Sequence, residues 1–188
     1  MAFVVVNDAC VLYPSVVRDF LIRVAAERTV RAHWTELILD EVFTHLKENR
    51  KDLDPVKLDR TRALMNEALE DPIVTGFEPL ISALTLPDPD DRHVLAAAIK
   101  AGAQVIVTFN LKDFPAEVLG PFGIEAKGPD DFLIDQFHID DGVLRSIVRD
   151  IAATWNAHRG SKQVTTADDV LRQLETAGLV QLAAVLRE

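Results

Sequence analysis

The stretch 86–115 constrains the fold most, because it predicts a capped helix that leads into a buried strand. Asp88 suits an N-cap, and Pro89 would take the first helical position, where its missing N–H costs nothing. Gly102 would end the helix, and the strand Val105–Val107 is too apolar to have a face in water. A helix followed by such a strand is typical of a parallel α/β fold.

The N-terminal half of the chain agrees with this fold. The apolar run 3–6 predicts a central strand, and Asp8 follows at its carboxyl end. Thr35 suits an N-cap, and the helix after it has an apolar stripe with Glu41 at the border. We also expect helices at 15–26, 55–69 and 129–137, and short strands at 30–33 and near residue 124.

From residue 140 onward the patterns are purely helical. An amphipathic helix at 142–157 precedes a polar linker at 158–164, and Gly178 divides two further helices. Thr165 and Thr166 each have an Asp three residues later, which predicts capping boxes. We therefore divide the chain into an α/β domain at 1–137 and a helical C-terminal extension at 138–188.

Composition limits the partners of this protein. With 30 acidic and 20 basic residues, its formal net charge is −10, so it should not hold duplex DNA by charge neutralisation alone. The N-terminus has no basic segment, and its apolar run is too short for a signal peptide or a membrane span. We expect a cytoplasmic protein with no membrane partner. The single cysteine, Cys10, excludes an internal disulfide and is expected to be a small packed residue.

Acidic side chains are the candidate functional residues, because an α/β fold would bring four of them to the carboxyl edge of the sheet, where ligands bind. These acids are Asp8, Glu41, Asp91 and Asp113. Clustered carboxylates repel one another, and Mg²⁺ or Mn²⁺ is the counter-charge that oxygen ligands favour. Such a centre polarises a phosphate and activates water, which is the chemistry of a phosphodiester hydrolase. Alone, Asp91 is equally explained as an acid in the first turn of a capped helix.

Four segments carry a resemblance to a known family: VNDACVLYP, ILDEVFTHL, DPDDRHVLAAAI and IVTFNLKDFP. In this order and at about these spacings they resemble the PIN domain, over about residues 2–135. The resemblance implies a three-layer α/β/α sandwich around a parallel sheet and a divalent-metal-dependent endoribonuclease. Within the family the chain is most similar to bacterial VapC-type toxins, which implies an RNA substrate and a cognate antitoxin as partner. It leaves open whether the protein forms a homodimer.

The resemblance also implies roles for individual residues. The family's catalytic, metal-holding acids match Asp8, Glu41, Asp91 and Asp113. Asn110 stands where many members carry an Asp, and a neutral ligand there can weaken or drop a second metal. Thr108 matches a hydroxyl of the metal loop and would orient ligands or water. Arg92 would contact a phosphate.

Alternatives stay open from the sequence alone. A regulatory binding protein could keep the acidic pocket without turnover, and Asn110 favours that interpretation. A phospho-acceptor domain would need paired acids after the first strand, which Asn7 and Asp8 supply only in part. For Arg92, a salt bridge to Asp88 is the alternative to a phosphate contact.

Two groups of charged or titratable residues have ordinary explanations. The five histidines have no metal-ligand spacing, and packing explains each better than catalysis. A basic run could steer RNA, although a solvated face explains it better; its members are Arg18, Arg23, Arg28 and Arg31.

Overall fold

The computed structural model describes residues 3–158 and 164–188. Its parallel sheet has the strand order β2-β1-β3-β4, formed by β1 (Phe3–Asn7), β2 (Val30–His33), β3 (Val105–Val107) and β4 (Glu125–Lys127). The two central strands, β1 and β3, pair Val5 with Val105 and Asn7 with Val107. The predicted linker falls largely on residues 159–163, which lie outside the described residues.

Helices pack around this sheet, and the predicted α/β/α sandwich with a helical C-terminal region is confirmed. Between β1 and β2 lie α1 (Ala9–Leu12) and α2 (Ser15–Ala26). Between β2 and β3 lie α3 (Glu36–Asn49), α4 (Pro55–Ala68), α5 (Glu78–Ile81) and α6 (Arg92–Ala101). The chain continues through α7 (Ala116–Leu119), α8 (Pro129–Ile139), α9 (Asp141–His158), α10 (Ala167–Thr176) and α11 (Val180–Arg187). Within the described ranges, no helix is both long enough and apolar enough to cross a bilayer.

Local signals set the ends of the helices that carry the acids. The Thr35 hydroxyl accepts from the Ile38 N–H at 3.1 Å and caps α3. The Asp88 carboxylate accepts from the Asp90 N–H at 2.9 Å, so Asp88 caps a single 3₁₀ turn, Pro89–Asp91, that precedes α6. Gly102 ends α6 with φ 64°, a left-handed conformation that favours glycine.

The C-terminal helices pack on the sheet domain through one continuous apolar core. Thr166 and Asp169 form the predicted capping box at the start of α10. Gly178 follows α10 with φ 97°, and Leu179 and Leu182 are fully buried beyond it. The division of the chain after residue 137 stays a prediction.

Candidate functional site

Asp8 is held firmly at the carboxyl end of β1. Its Oδ1 accepts from the Ala9 N–H at 2.7 Å, and its Oδ2 accepts from the Thr108 hydroxyl at 2.8 Å. The Cys10 thiol also donates to Asp8 Oδ2, at 3.2 Å. Since the Thr108 side chain is fully buried, its contribution is to orient the Asp8 carboxylate.

The loop 108–113 follows β3 at the same edge of the sheet. The Asn110 N–H donates to the Thr108 hydroxyl at 2.9 Å, and the Phe109 N–H donates to Cys10 Sγ at 3.2 Å. The Asn110 side-chain amide donates to the Asp113 carboxylate, which is buried. These bonds tie the loop to the end of β1 and fix the direction of its acid.

Within the described ranges, one group of acids has the spacing to hold a metal ion: Asp88, Asp91 and Asp113 each offer one carboxylate oxygen, and these oxygens lie within 4.8 Å of one another. Asp88 makes the capping hydrogen bond of the 3₁₀ turn, whereas the Asp91 side chain makes no capping bond. Asp91 Oδ2 is buried and has no hydrogen-bond partner in the described part of the chain. Simple capping therefore does not explain the position of Asp91.

Burial and like charge act together on Asp91. Removal from water, followed in influence by the negative charges of neighbouring acids, raises the pKa of its carboxyl from 3.8 to about 6. In order of decreasing influence these neighbours are Asp8, Asp88, Asp113 and Glu41. The other three predicted acids, Asp8, Asp113 and Glu41, thus all lie near enough to Asp91 for their charges to act on its carboxyl.

A cavity of ≈ 500 Å³ opens beside these acids. The side chains that line it include Asp8, Glu41, Asp91, Asn110, Cys10, His45, Tyr13 and Phe109. Glu41 is half-buried on α3, as its place at the border of the apolar stripe predicts. A cavity whose lining includes three carboxylates and an amide can take a cation together with part of a larger ligand.

Some residues near the site were not expected from the sequence. His93 Nε2 lies 3.6 Å from Glu41 Oε2, and His45 lines the cavity one helical turn after Glu41. The sequence could have indicated His45, because it lies four residues after Glu41 and so on the same face of α3. Asp88 was explained by its cap alone, although it lies three residues before Asp91. Cys10 packs against the core as expected, but it also hydrogen-bonds Asp8, and burial raises the pKa of its thiol to about 12.

The structure places the arginines differently from the sequence-based interpretations. Arg92 donates through Nε to the Pro89 carbonyl at 2.8 Å, and no salt bridge between Arg92 and Asp88 is found in the described ranges. Arg18 is buried and donates to the Leu12 carbonyl at 2.7 Å, and Arg23 pairs with Asp19 at 2.7 Å. A solvated basic face that includes Arg18 is therefore wrong, because the Arg18 side chain is buried, and the charge of the half-buried Arg23 is paired with Asp19.

Comparison with known proteins agrees with the architecture. The family model described as PIN domain matches residues 4–112, and one described as VapC50 C-terminal domain matches residues 129–188. The chain belongs to the PIN domain family.

One curated relative extends this result. It is "Putative ribonuclease VapC50" from Mycobacterium tuberculosis (strain ATCC 25618 / H37Rv), with 45% identity over 73 residues. The match covers 39% of this chain and 43% of the relative, so the chain spans less than half of that protein. No solved structure matches this chain.

Proposed function

We propose that this protein is a divalent-metal-dependent endoribonuclease of the cytoplasm and the toxin of a toxin–antitoxin pair. One observation carries the proposal: Asp91 Oδ2 is buried without a partner in the described part of the chain and is surrounded by other carboxylates. A buried polar atom without a partner costs free energy, and a hard divalent cation is the partner that such oxygens favour. The name of the relative supports the ribonuclease activity.

The residues present fit Mg²⁺ or Mn²⁺, because Asp88, Asp91 and Asp113 each offer a carboxylate oxygen within 4.8 Å of the others, and these ions favour oxygen ligands. We propose that Asp91 and Asp113 hold the ion with Asp8 and Glu41, and that Asn110 adds a neutral oxygen. When bound, the ion supplies a Lewis acid and an activated water at the phosphodiester. The chain positions its own ligands, since Thr108 orients Asp8 and the Asn110 amide orients Asp113.

A non-catalytic binding protein is the second candidate. The observation that favours it is Asn110, whose amide nitrogen donates to Asp113 and so satisfies one of the carboxylates without a metal. Both candidates bind a cation, and only the nuclease breaks RNA. Turnover therefore separates the two functions.

The test is RNA cleavage by the full chain with Mn²⁺, after chelation by EDTA, and after Mn²⁺ is restored. We expect chelation to abolish cleavage and Mn²⁺ to restore it. Asp91→Asn should remove cleavage, whereas Asp90→Asn, a matched change at an exposed acid of the same turn, should keep it. Cleavage that survives complete chelation would refute the metal mechanism. Metal binding without cleavage by the parent would favour the binding protein.

A further inference from the structure

The candidate site repels the substrate that it should bind. Asp8, Glu41 and Asp91 all lie on the cavity wall, and the whole chain carries a formal charge of −10. Phosphates therefore gain nothing from direct contact with this wall, and cations can offset the repulsion only where they bind. Contacts with the uncharged parts of a polynucleotide, which are the bases, would add affinity that this repulsion does not oppose.

Phe109 offers such a contact. Phe109 lines the cavity together with Asn110 and is 42% exposed, so an apolar surface lies beside the acids. Its backbone N–H is fixed by Cys10 Sγ, and the same thiol donates to Asp8. The backbone of Phe109 is therefore tied to Asp8 through two hydrogen bonds of the Cys10 thiol.

The C-terminal region supports the ring from another side. A Cβ placed on Gly178 would lie 3.6 Å from Phe109 Cε1, so the turn after α10 packs closely against the ring. That turn is anchored, because the Asp130 carboxylate accepts from the Gln181 and Leu182 N–H groups, each at 2.9 Å. Phe109 is thus supported on the side of Gly178 while much of its surface stays open.

We propose that Phe109 stacks on an unpaired base of the RNA, next to the phosphate held at the acids. The substrate is then RNA that is single-stranded at the cleaved position, since a base inside a duplex cannot reach the ring. Any of the four bases can stack, so the contact gives affinity with little sequence preference. This inference rests on the proposed function and adds to it a residue that would bind the substrate next to the acids.

The experiment compares competitors that differ only in their bases. A labelled single-stranded oligoribonucleotide is cleaved with Mn²⁺ in the presence of either an unlabelled copy, an abasic oligoribonucleotide of equal length, or the paired duplex. For the parent we expect the base-containing strand to compete about 5- to 150-fold better than the abasic strand. The duplex should compete poorly.

Three variants test whether Phe109 causes the preference for the base-containing strand. Phe109→Leu keeps apolar volume and removes the stacking face, so the ratio between the two competitors should fall toward one while Mn²⁺ affinity stays unchanged. Phe109→Trp should retain the ratio. Phe122→Leu is the matched control, because Phe122 is 47% exposed and lies outside the site loop, and it should behave as the parent.

The outcomes separate this inference from the function on which it rests. A parent ratio that persists in Phe109→Leu, or a duplex that competes as well as the single strand, would overturn the stacking role and leave the nuclease intact. That result would also be expected if the exposed ring serves instead to dock a protein. A parent that cleaves no RNA with Mn²⁺ would overturn the proposed function and this inference together.

Discussion

Asp91 could be a helix-capping acid or a metal ligand, and the hydrogen bond of Asp88 distinguishes between these two roles. Asp88 already provides the cap, through its bond to the Asp90 N–H. Asp91 is then left with a buried oxygen that has no partner within the described residues. Its pKa of about 6 reflects burial first and the charges of the other acids second. This environment is unfavourable for a carboxylate unless a cation is present.

Protonation of Asp91 should therefore be visible in the stability of the metal-free protein. The folded-state pKa of about 6 lies above 3.8, so the folded state binds this proton more tightly than the unfolded state. The resulting stabilisation is fully present below pH 4 and is lost as pH rises through about 6. Because Asp91 is only half-buried, solvent screening limits the effect to roughly 1–2 kcal/mol.

Urea unfolding in EDTA between pH 4 and 7 measures this loss. Other carboxylates contribute their own pH dependence, so the free energy of unfolding of the parent is compared with that of Asp91→Asn at each pH. As pH rises, the parent should lose stability relative to the variant. Asp90→Asn should follow the parent. A difference that does not change with pH would contradict the assigned environment.

At the scale of elements, the start of α11 depends on a side chain from another helix. Both oxygens of Asp130, in the first turn of α8, accept from N–H groups at the start of α11. Asp131 accepts from the Gln181 side chain, at 3.0 Å, and from no backbone N–H of α11 in the described part of the chain. Asp130 thus joins the C-terminal turn that supports Phe109 to the sheet domain.

Removing this link should destabilise the protein. Asp130→Ala leaves two helix N–H groups without their acceptor, which should lower the free energy of unfolding by about 1–2 kcal/mol. Asp131→Ala is the matched control and should cost less than about 0.5 kcal/mol. Urea unfolding of both variants measures the difference. Equal losses would show that the bonds from Asp130 do not anchor α11.

Sequence reasoning works for elements with strong local signals and fails where tertiary packing decides. Thr35, Thr166 and Gly102 mark helix ends that the structure has at the predicted places. The single-turn helices α1 and α5 were not expected, because four residues are too few for a helical period. β4 begins at Glu125, one residue after the apolar position that predicted it.

The candidate site shows the same limit. The rule that ligands bind at the carboxyl edge of a parallel sheet predicts that Asp8 and Asp113 lie near Asp91, and they do. The proximity of Gly178 to Phe109 could not be predicted, because an amphipathic pattern does not say which surface its apolar side covers. Asp88 was missed because its cap explained it fully.

At the scale of the whole molecule, cation binding at the acids is linked to the stability of the folded protein. The core is continuous from the sheet into the C-terminal helices, and the acids concentrate negative charge at one edge of it. A cation bound at the acids of the folded state would therefore stabilise the entire protein, by about 2.7 kcal/mol at a hundredfold excess over its Kd. For a chain of this size, that gain corresponds to a rise in Tm of about 5–10 °C.

The most direct measurement of the central claim is a thermal melt of the parent, Asp91→Asn and Asp90→Asn, each in EDTA and in Mn²⁺. We expect Mn²⁺ to raise the Tm of the parent and of Asp90→Asn. Asp91→Asn should melt at or above the parent in EDTA, because it removes repulsion, and should gain little from Mn²⁺. An Asp91→Asn protein that melts lower in EDTA and gains as much from Mn²⁺ as the parent would contradict the metal site.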